Sequence, residues 1–207
     1  MQLISLKKVK DGTYLKNYEL TYRNKTGGQK VYEIVSRREL SAPEDLGTRT
    51  SGVSIVATRG ESLLLLHEFR MGVNKRIYNL CAGMLESGET ISDCIRRELY
   101  EETGLSLKRI YKILPASYAA VAISDIRTQI AFVEVEGTLS SEHSSENEDI
   151  HVGFYTKEEV QAMLEYEDFS SRAQMAAYFL RLEIWNMIHV IQEKRGIYSD
   201  EYFGSFR

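Results

Sequence analysis

The sequence has 207 residues, of which 43% are hydrophobic and 27% are charged, enough for one globular domain with a small appendage. Its 26 basic and 30 acidic residues give a net charge of −4, which argues against a general nucleic-acid binder because phosphate contacts need a basic surface. Only two cysteines, Cys81 and Cys94, are present, so a disulfide scaffold is excluded and both are predicted to be packing residues. With no signal-peptide pattern and no 18-residue apolar run, we expect a cytoplasmic protein that does not bind membranes.

Residues 1–45 are predicted to form a small antiparallel β-sheet. Lys16–Asn24 alternates tyrosine and leucine with polar residues, and Val31–Arg37 is a second run rich in β-branched residues. A three-stranded sheet is marginal alone, so this sheet should pack on another surface, of which a partner subunit is one candidate. Tyrosines at 14, 18 and 22 either pack in the sheet or stack on a base.

Residues 46–207 are predicted to form the main domain, after a polar connection that contains one of two prolines. Val53–Thr58 and Ser62–Phe69 should pair as a hairpin whose second strand is buried on both sides. Further strands are predicted at 77–80, 110–116, 127–136 and 150–155. Thr156 and Glu159 should cap a helix that runs to about residue 166. A last helix should be capped by Ser171 and Gln174 and should end near Gly196. Its core face should carry the residues Met175, Phe179, Leu182 and Met187.

One helix is better specified than the others. Thr90 can accept a hydrogen bond at its start, and Gly104 can take the left-handed conformation just after Thr103. Apolar residues recur at spacings of three and four, so they should form the buried stripe: Ile91, Cys94, Ile95 and Leu99.

The same helix carries an acidic cluster. Glu98 and Glu102 are four residues apart on one face, beside Glu101. Two carboxylates about 5 Å apart repel each other by roughly 3 kcal/mol at an effective dielectric of 20, so a cation between them would stabilise the arrangement. Carboxylate oxygens suit Mg²⁺ or Mn²⁺, which also bind phosphates. The alternative is an ordinary solvated helical face.

The residues around this cluster follow a longer pattern with fixed spacing. It comprises Gly83, Glu89, Arg97, Glu98, Leu99, Glu101, Glu102, Gly104 and Leu105. This pattern resembles the motif of the Nudix hydrolases without a mismatch. The resemblance implies an α/β/α sandwich around a mixed sheet, which hydrolyses a nucleoside diphosphate linked to another group. It also implies that Glu98 and Glu102 are divalent-metal ligands, with Glu101 as a candidate third ligand, and that Glu101 and Arg97 support catalysis.

More of the chain is similar to one branch of that family, the ADP-ribose pyrophosphatases. The branch implies Mg²⁺, with Mn²⁺ possible as a replacement, bound also by the carbonyl of Ala82 and by Glu148. It implies Glu146 as general base, and substrate contacts from the following residues: Arg37, Arg38, Glu39, Arg70 and Met84. It further implies a homodimer that exchanges its N-terminal strands.

The chain departs from the branch pattern at two places. Cys81 stands where proline is usual, and the loop Ser117–Asp125 lacks a glycine-containing segment that helps to contact the substrate. The substrate therefore stays open between ADP-ribose, a similar nucleotide sugar, and a dinucleotide. A non-catalytic ADP-ribose-binding module is a further alternative, although such modules usually lose a glutamate from the motif.

Overall fold

The structure is a computed structural model that describes residues 1–140 and 149–181. The described strands are β1 (Gln2–Asp11), β2 (Lys16–Arg23), β3 (Gln29–Ser36), β4 (Thr50–Arg59), β5 (Ser62–Arg70), β6 (Lys75–Asn79), β7 (Cys81–Met84), β8 (Ser106–Ile113), β9 (Ser117–Tyr118), β10 (Arg127–Glu136) and β11 (Ile150–Tyr155). The described helices are α1 (Ile91–Thr103), α2 (Lys157–Tyr166) and α3 (Ser171–Arg181). Within these ranges no helix is long and apolar enough to cross a membrane.

The N-terminal strands form the predicted antiparallel sheet in the order β1-β2-β3. Its buried side chains are Tyr18, Leu20, Ile34 and Leu40. The backbone N–H of Leu40 donates a hydrogen bond of 2.8 Å to the hydroxyl of Tyr18, which is fully buried. Tyr18 is therefore a core residue and is not available to stack on a base. The boundary between residues 45 and 46 stays a prediction.

The remaining described strands form one mixed sheet. Its main order is β11-β5-β4-β10-β8, and β6, β7 and β9 pair with β5, β4 and β10 respectively. Strands β4 and β10 are parallel, whereas the other pairs in this sheet are antiparallel. The fold class predicted from the sequence, an α/β sandwich around a mixed sheet plus a small antiparallel sheet, is confirmed.

Helices cover both faces of the mixed sheet. Strand β5 shows this best, because its side chains alternate between the faces. Leu64 and Leu66 pack in the core that contains α1, and Leu63 and Leu65 pack in the core that contains α2 and α3. All four leucines are at most 1% exposed, so the prediction that this strand is buried on both sides is confirmed.

Helix α3 differs from the sequence-based expectation. Met175 and Phe179 are 59% and 39% exposed, so their predicted place on the core face is wrong. The buried face consists instead of Ala173, Ala176, Ala177 and Leu180, whose mostly small side chains allow the helix to lie close to the sheet. The cap is also one residue earlier than predicted, because the Ser170 hydroxyl accepts from the N–H of Ala173. Leu182, Met187 and Gly196 lie outside the described residues.

Helix α1 begins and ends as predicted. The Thr90 hydroxyl accepts a hydrogen bond from the N–H of Asp93 at 3.2 Å, and Gly104 adopts a left-handed conformation with φ of 72°. Its buried apolar residues include Cys94, Ile95 and Leu99, so the predicted stripe and the packing role of Cys94 are confirmed. The caps fix which residues of α1 face the neighbouring strand β7.

Strand β7 lies unusually close to β4. Gly52 on β4 pairs with Met84 on β7, and a Cβ atom at position 52 would lie 2.1 Å from the carbonyl oxygen of Gly83. Only glycine leaves enough room for the two backbones at this point. The place of β7, and of the residues that α1 packs against it, therefore depends on Gly52.

We expect Gly52→Ala to destabilise the protein, because the added methyl group must push β7 away from β4. Overpacking of this kind costs about 1–3 kcal/mol, and for a chain of this size each kcal/mol lowers the melting temperature by about 2–4 °C. Calorimetry should therefore show a fall of about 2–12 °C. Gly72→Ala is the matched control, since a Cβ atom there meets open space. Equal melting temperatures for the two variants would contradict the close-approach argument.

Candidate active site

The acidic face of α1 lies against β7. Glu98 and Glu102 are only 8% and 9% exposed, so they are not the solvated residues of an ordinary surface helix. The N–H of Ala82 donates a hydrogen bond of 3.2 Å to Glu102 Oε2. A Cβ atom at position 83 would lie 1.6 Å from Glu98 Oε1, so Gly83 is what allows this carboxylate to reach the strand.

Arg97 joins the helix to the loop that precedes it. Its Nε and Nη2 atoms donate to the two carboxylate oxygens of Glu89 at 2.9 and 3.0 Å. Its Nη1 atom contacts Glu98 at 2.7 Å and Glu101 at 3.1 Å, and Nη2 also donates to the Met84 carbonyl at 3.0 Å. The guanidinium, helped by the N–H of Glu86, lowers the pKa of Glu89 to about 2.

Glu102 is in a different electrostatic environment. Burial, followed by the negative charge of Glu98, raises its pKa to about 8, and hydrogen bonds from Cys81 and the Ala82 N–H only partly oppose this. The Cys81 thiol has its pKa raised well above the usual value by burial and by the charge of Glu102. A buried carboxyl group with a raised pKa takes up a proton at neutral pH unless a cation stabilises its charged form, so this pair fits the binding of a cation.

A third buried carboxylate, Glu68 on β5, was not identified from the sequence. Its negative charge contributes to the raised pKa of Glu102. Asn79 donates to Glu68 Oε1 at 2.6 Å, and Arg70 contacts Oε2 at 3.3 Å. An acidic residue near the end of an otherwise apolar strand is the signal that would have identified it, because burial of such a residue demands partners.

The number of side chains that could bind a metal ion is small in the described residues. In residues 1–140 and 149–181 no three His, Cys, Asp or Glu side chains come together as a metal-binding group. Glu98 and Glu102 supply hard oxygen ligands, so further ligands would have to come from main-chain oxygens such as that of Ala82, from undescribed residues, or from substrate phosphate. Incomplete protein ligation is usual for Mg²⁺ sites that bind phosphorylated substrates.

The other predicted site residues lie in different places. Met84 is exposed beside the cluster, and Arg70 is exposed while contacting Glu68. Arg38 donates to the Thr48 hydroxyl at 3.1 Å and lies 3.7 Å from Asp125, and Glu39 accepts from Lys8 at 3.0 Å. Arg37 is exposed. Glu146 and Glu148 lie outside the described residues.

The structure thus brings together one part of the predicted set. This part comprises Ala82, Met84, Arg97, Glu98, Glu101 and Glu102, together with Glu89. Arg38 and Glu39 are engaged in contacts with other residues of the chain. A helix that carries buried carboxylates beside a strand with glycine at the point of contact has the geometry for holding a cation and a phosphorylated ligand.

Comparisons with curated proteins agree with this chemistry. The ADP-ribose pyrophosphatase of Escherichia coli strain K12 is 34% identical over 104 residues, which are 49% of this chain and 49% of that protein. The NAD-capped RNA hydrolase NudC of Vibrio parahaemolyticus is 46% identical over 56 residues, 27% of this chain and 21% of NudC. The matches therefore span about half or less of the length of these relatives.

The fold and the family are shown by two further comparisons. A solved structure described as an ADP compounds hydrolase matches with a TM-score of 0.71 over 90% of this chain and 95% of that chain. Its sequence identity is 19%, so it shows a shared fold. The NUDIX domain model matches residues 48–179, which include α1 and the strands β5 and β7. This chain belongs to the Nudix family of hydrolases.

Proposed function

We propose that this chain hydrolyses the diphosphate of ADP-ribose or of a similar nucleotide sugar, releasing a nucleoside monophosphate and a sugar phosphate. The observation that carries the proposal is the pair of buried carboxylates, Glu98 and Glu102, held against Gly83. The match to ADP-ribose pyrophosphatases over 104 residues supports this choice of substrate.

We propose Mg²⁺ as the cofactor, with Mn²⁺ as a replacement. Glu98, Glu102 and the carbonyl of Ala82 would hold it, together with Glu148. When bound, a divalent cation neutralises phosphate charge and lowers the pKa of water. Arg97 would fix the orientation of Glu98 through its 2.7 Å contact with Glu98 Oε1.

The substrate would lie across the exposed side of this pair. Arg70 would bind the diphosphate, since its guanidinium is exposed and attached to the site through Glu68. Arg37 and Glu39 are proposed for the nucleotide end, and Met84 for an apolar contact beside the helix. Glu146 is proposed as the general base that takes a proton from the attacking water, with Glu101 as a supporting carboxylate.

The direct test is incubation of the purified chain with ADP-ribose and MgCl2, followed by separation of the products. We expect AMP and a sugar phosphate in equal amounts, and no turnover when the divalent cation is chelated. Failure to cleave any member of a panel of ADP-ribose, other nucleotide sugars and dinucleotides would refute the proposal.

A second candidate is hydrolysis of a dinucleotide or of another nucleoside diphosphate derivative. The relatives named as NAD-capped RNA hydrolases favour it, because one of them is 46% identical to this chain over 56 residues. The ratio of kcat/KM values across the panel decides between the two candidates. A non-catalytic module would instead bind ADP-ribose in calorimetry and release no product, and the complete set of motif glutamates argues against it.

We expect Glu102→Gln to abolish most activity while the protein stays folded. Glutamine keeps an acceptor for the Ala82 N–H and, like the protonated carboxyl that a pKa of about 8 favours at neutral pH, carries no charge, so the melting temperature without metal should stay close to that of the unmodified protein. Loss of one ligand should lower kcat/KM at least about a hundredfold, which corresponds to about 2.7 kcal/mol. Added MgCl2 should also raise the melting temperature less than in the unmodified protein.

The matched control is Glu134→Gln. Glu134 is a carboxylate on β10 that contacts Lys108 and Tyr111, away from α1. We expect the activity of the Glu134→Gln variant to stay within about twofold of that of the unmodified protein. If Glu102→Gln retained activity like this control, the assignment of Glu102 as a metal ligand would be wrong.

We also propose a cytoplasmic homodimer formed through the N-terminal strands. Strand β1 is the outer strand of its sheet and carries the exposed apolar residues Ile4 and Val9, which a partner would cover. Light scattering of the eluted protein should give twice the chain mass of 23.8 kDa. Ile4→Lys should shift the mass toward the monomer, because it places a charge in the interface. A monomeric mass for the unmodified protein would contradict this proposal.

A further inference from the structure

The segment between β9 and β10 is a compact loop of residues 119–126. The N–H of Ala119 donates to the carbonyl of Ile126, and that of Ser124 donates to the carbonyl of Ala120, both at 2.9 Å. Val121 and Ile123 nevertheless expose 71% and 61% of their surface. The backbone of the loop is therefore well ordered by its own hydrogen bonds, while its apolar side chains point outward.

This loop is attached to the N-terminal sheet. The N–H of Val35 donates to the carbonyl of Ile123 at 2.8 Å, and the hydroxyl of Tyr32 donates to the carbonyl of Ala122 at 2.6 Å. Val35 and Ser124 form a parallel bridge. Because β3 is the outer strand of its sheet, the loop satisfies backbone groups that would otherwise face solvent.

A charged pair strengthens the same attachment. The Asp125 side chain is only 7% exposed, lies 3.7 Å from Arg38 Nη2, and accepts from the N–H of Gly47 at 3.4 Å. Arg127 donates to the carbonyls of Gly47 and Ala116 at 3.0 and 3.1 Å. Gly47 is thus held through both its N–H and its carbonyl, which ties the 119–126 loop to the connection between the two sheets.

The register of the mixed sheet places the stem of this loop near the candidate active site. Gly52 pairs with Met84 on one side and with Thr128 on the other. Neighbouring strands are about 4.8 Å apart, so Met84 and Thr128 are separated by roughly 10 Å. Thr128 pairs with Ser117 at the base of the loop. A bound substrate that extends from Met84 along this edge would reach the loop.

We propose that Asp125 is a positioning residue that sets the 119–126 loop at the edge of the active site. Arg38 acts through Asp125 in this role, as its partner, and does not itself hold the nucleotide. The pair controls how tightly the group attached to the diphosphate is bound. This inference rests on the proposed hydrolase function for its kinetic part only.

The test is Asp125→Asn in the full chain, read out by hydrogen exchange at the Val35 amide and by steady-state kinetics with ADP-ribose. Loss of the charge removes the pairing of the loop with Arg38, which follows β3 closely in sequence, so the bridge between Val35 and the loop should open more often and the Val35 amide should exchange about tenfold faster. KM should rise about fivefold to tenfold while kcat changes by less than twofold, since the metal-binding glutamates are untouched.

Asp168→Asn is the matched control. It breaks an exposed ion pair with Lys75 at 2.7 Å on another part of the sheet. We expect both the Val35 exchange rate and KM to stay unchanged in this variant. A general destabilisation by Asp125→Asn would instead lower its melting temperature and speed exchange at amides throughout the mixed sheet.

Arg38→Gln removes the other member of the pair. Because the Arg38 side chain is more exposed than that of Asp125, this variant keeps the test valid if Asp125→Asn fails to fold. It should reproduce the faster Val35 exchange and the higher KM, and Arg38→Lys should restore part of both. Unchanged Val35 exchange in Asp125→Asn and Arg38→Gln would overturn the inference, as would a fall in kcat at constant KM. If the chain cleaved none of the substrates, the hydrolase proposal would fail, while the exchange rates would still decide whether Asp125 positions the loop.

Discussion

The candidate site depends most on the hydrogen bonds and ion pairs made by the guanidinium group of Arg97. It binds Glu89 with two hydrogen bonds and reaches Glu98, Glu101 and the Met84 carbonyl from the same group. Arginine suits this place because its donors are fixed in one plane and it stays charged when partly buried. Lysine would offer a single compact charge and could not hold the loop, the helix and the strand at once.

Close backbone packing is the second constraint, and it acts with Arg97. Gly52 lets β7 approach β4, and Gly83 lets Glu98 approach β7. Because neither glycine has a side chain, the Glu98 carboxylate lies directly against main-chain atoms of β7. The negative charge that results is compensated on one side by Arg97, whereas Glu102 keeps a raised pKa because it is buried and because its neighbours Glu98 and Glu68 are also acidic.

Local patterns in the sequence predicted the elements that local interactions decide. The caps at Thr90 and Gly104, the hairpin that follows Val53, and the stripe of α1 were all correct, since each depends on residues a few positions apart. The face of α3 was wrong, because large apolar residues were taken as the core although alanines fit the narrow space above the sheet. Glu68 was missed although its place near the end of an apolar strand is a local signal. The pairing of Arg38 with Asp125 joins distant segments, which no local pattern contains.

The two halves of the site differ in how much chain must be organised to build them. The contact between Ala82 and Glu102 joins residues 20 positions apart, whereas that between Tyr32 and Ala122 joins residues 90 positions apart. Closing a longer loop costs more chain entropy and generally slows folding. The half built around Glu98 and Glu102 is therefore encoded largely in one short stretch of sequence. The half that contains the 119–126 loop becomes ordered only when the first and second parts of the chain have come together.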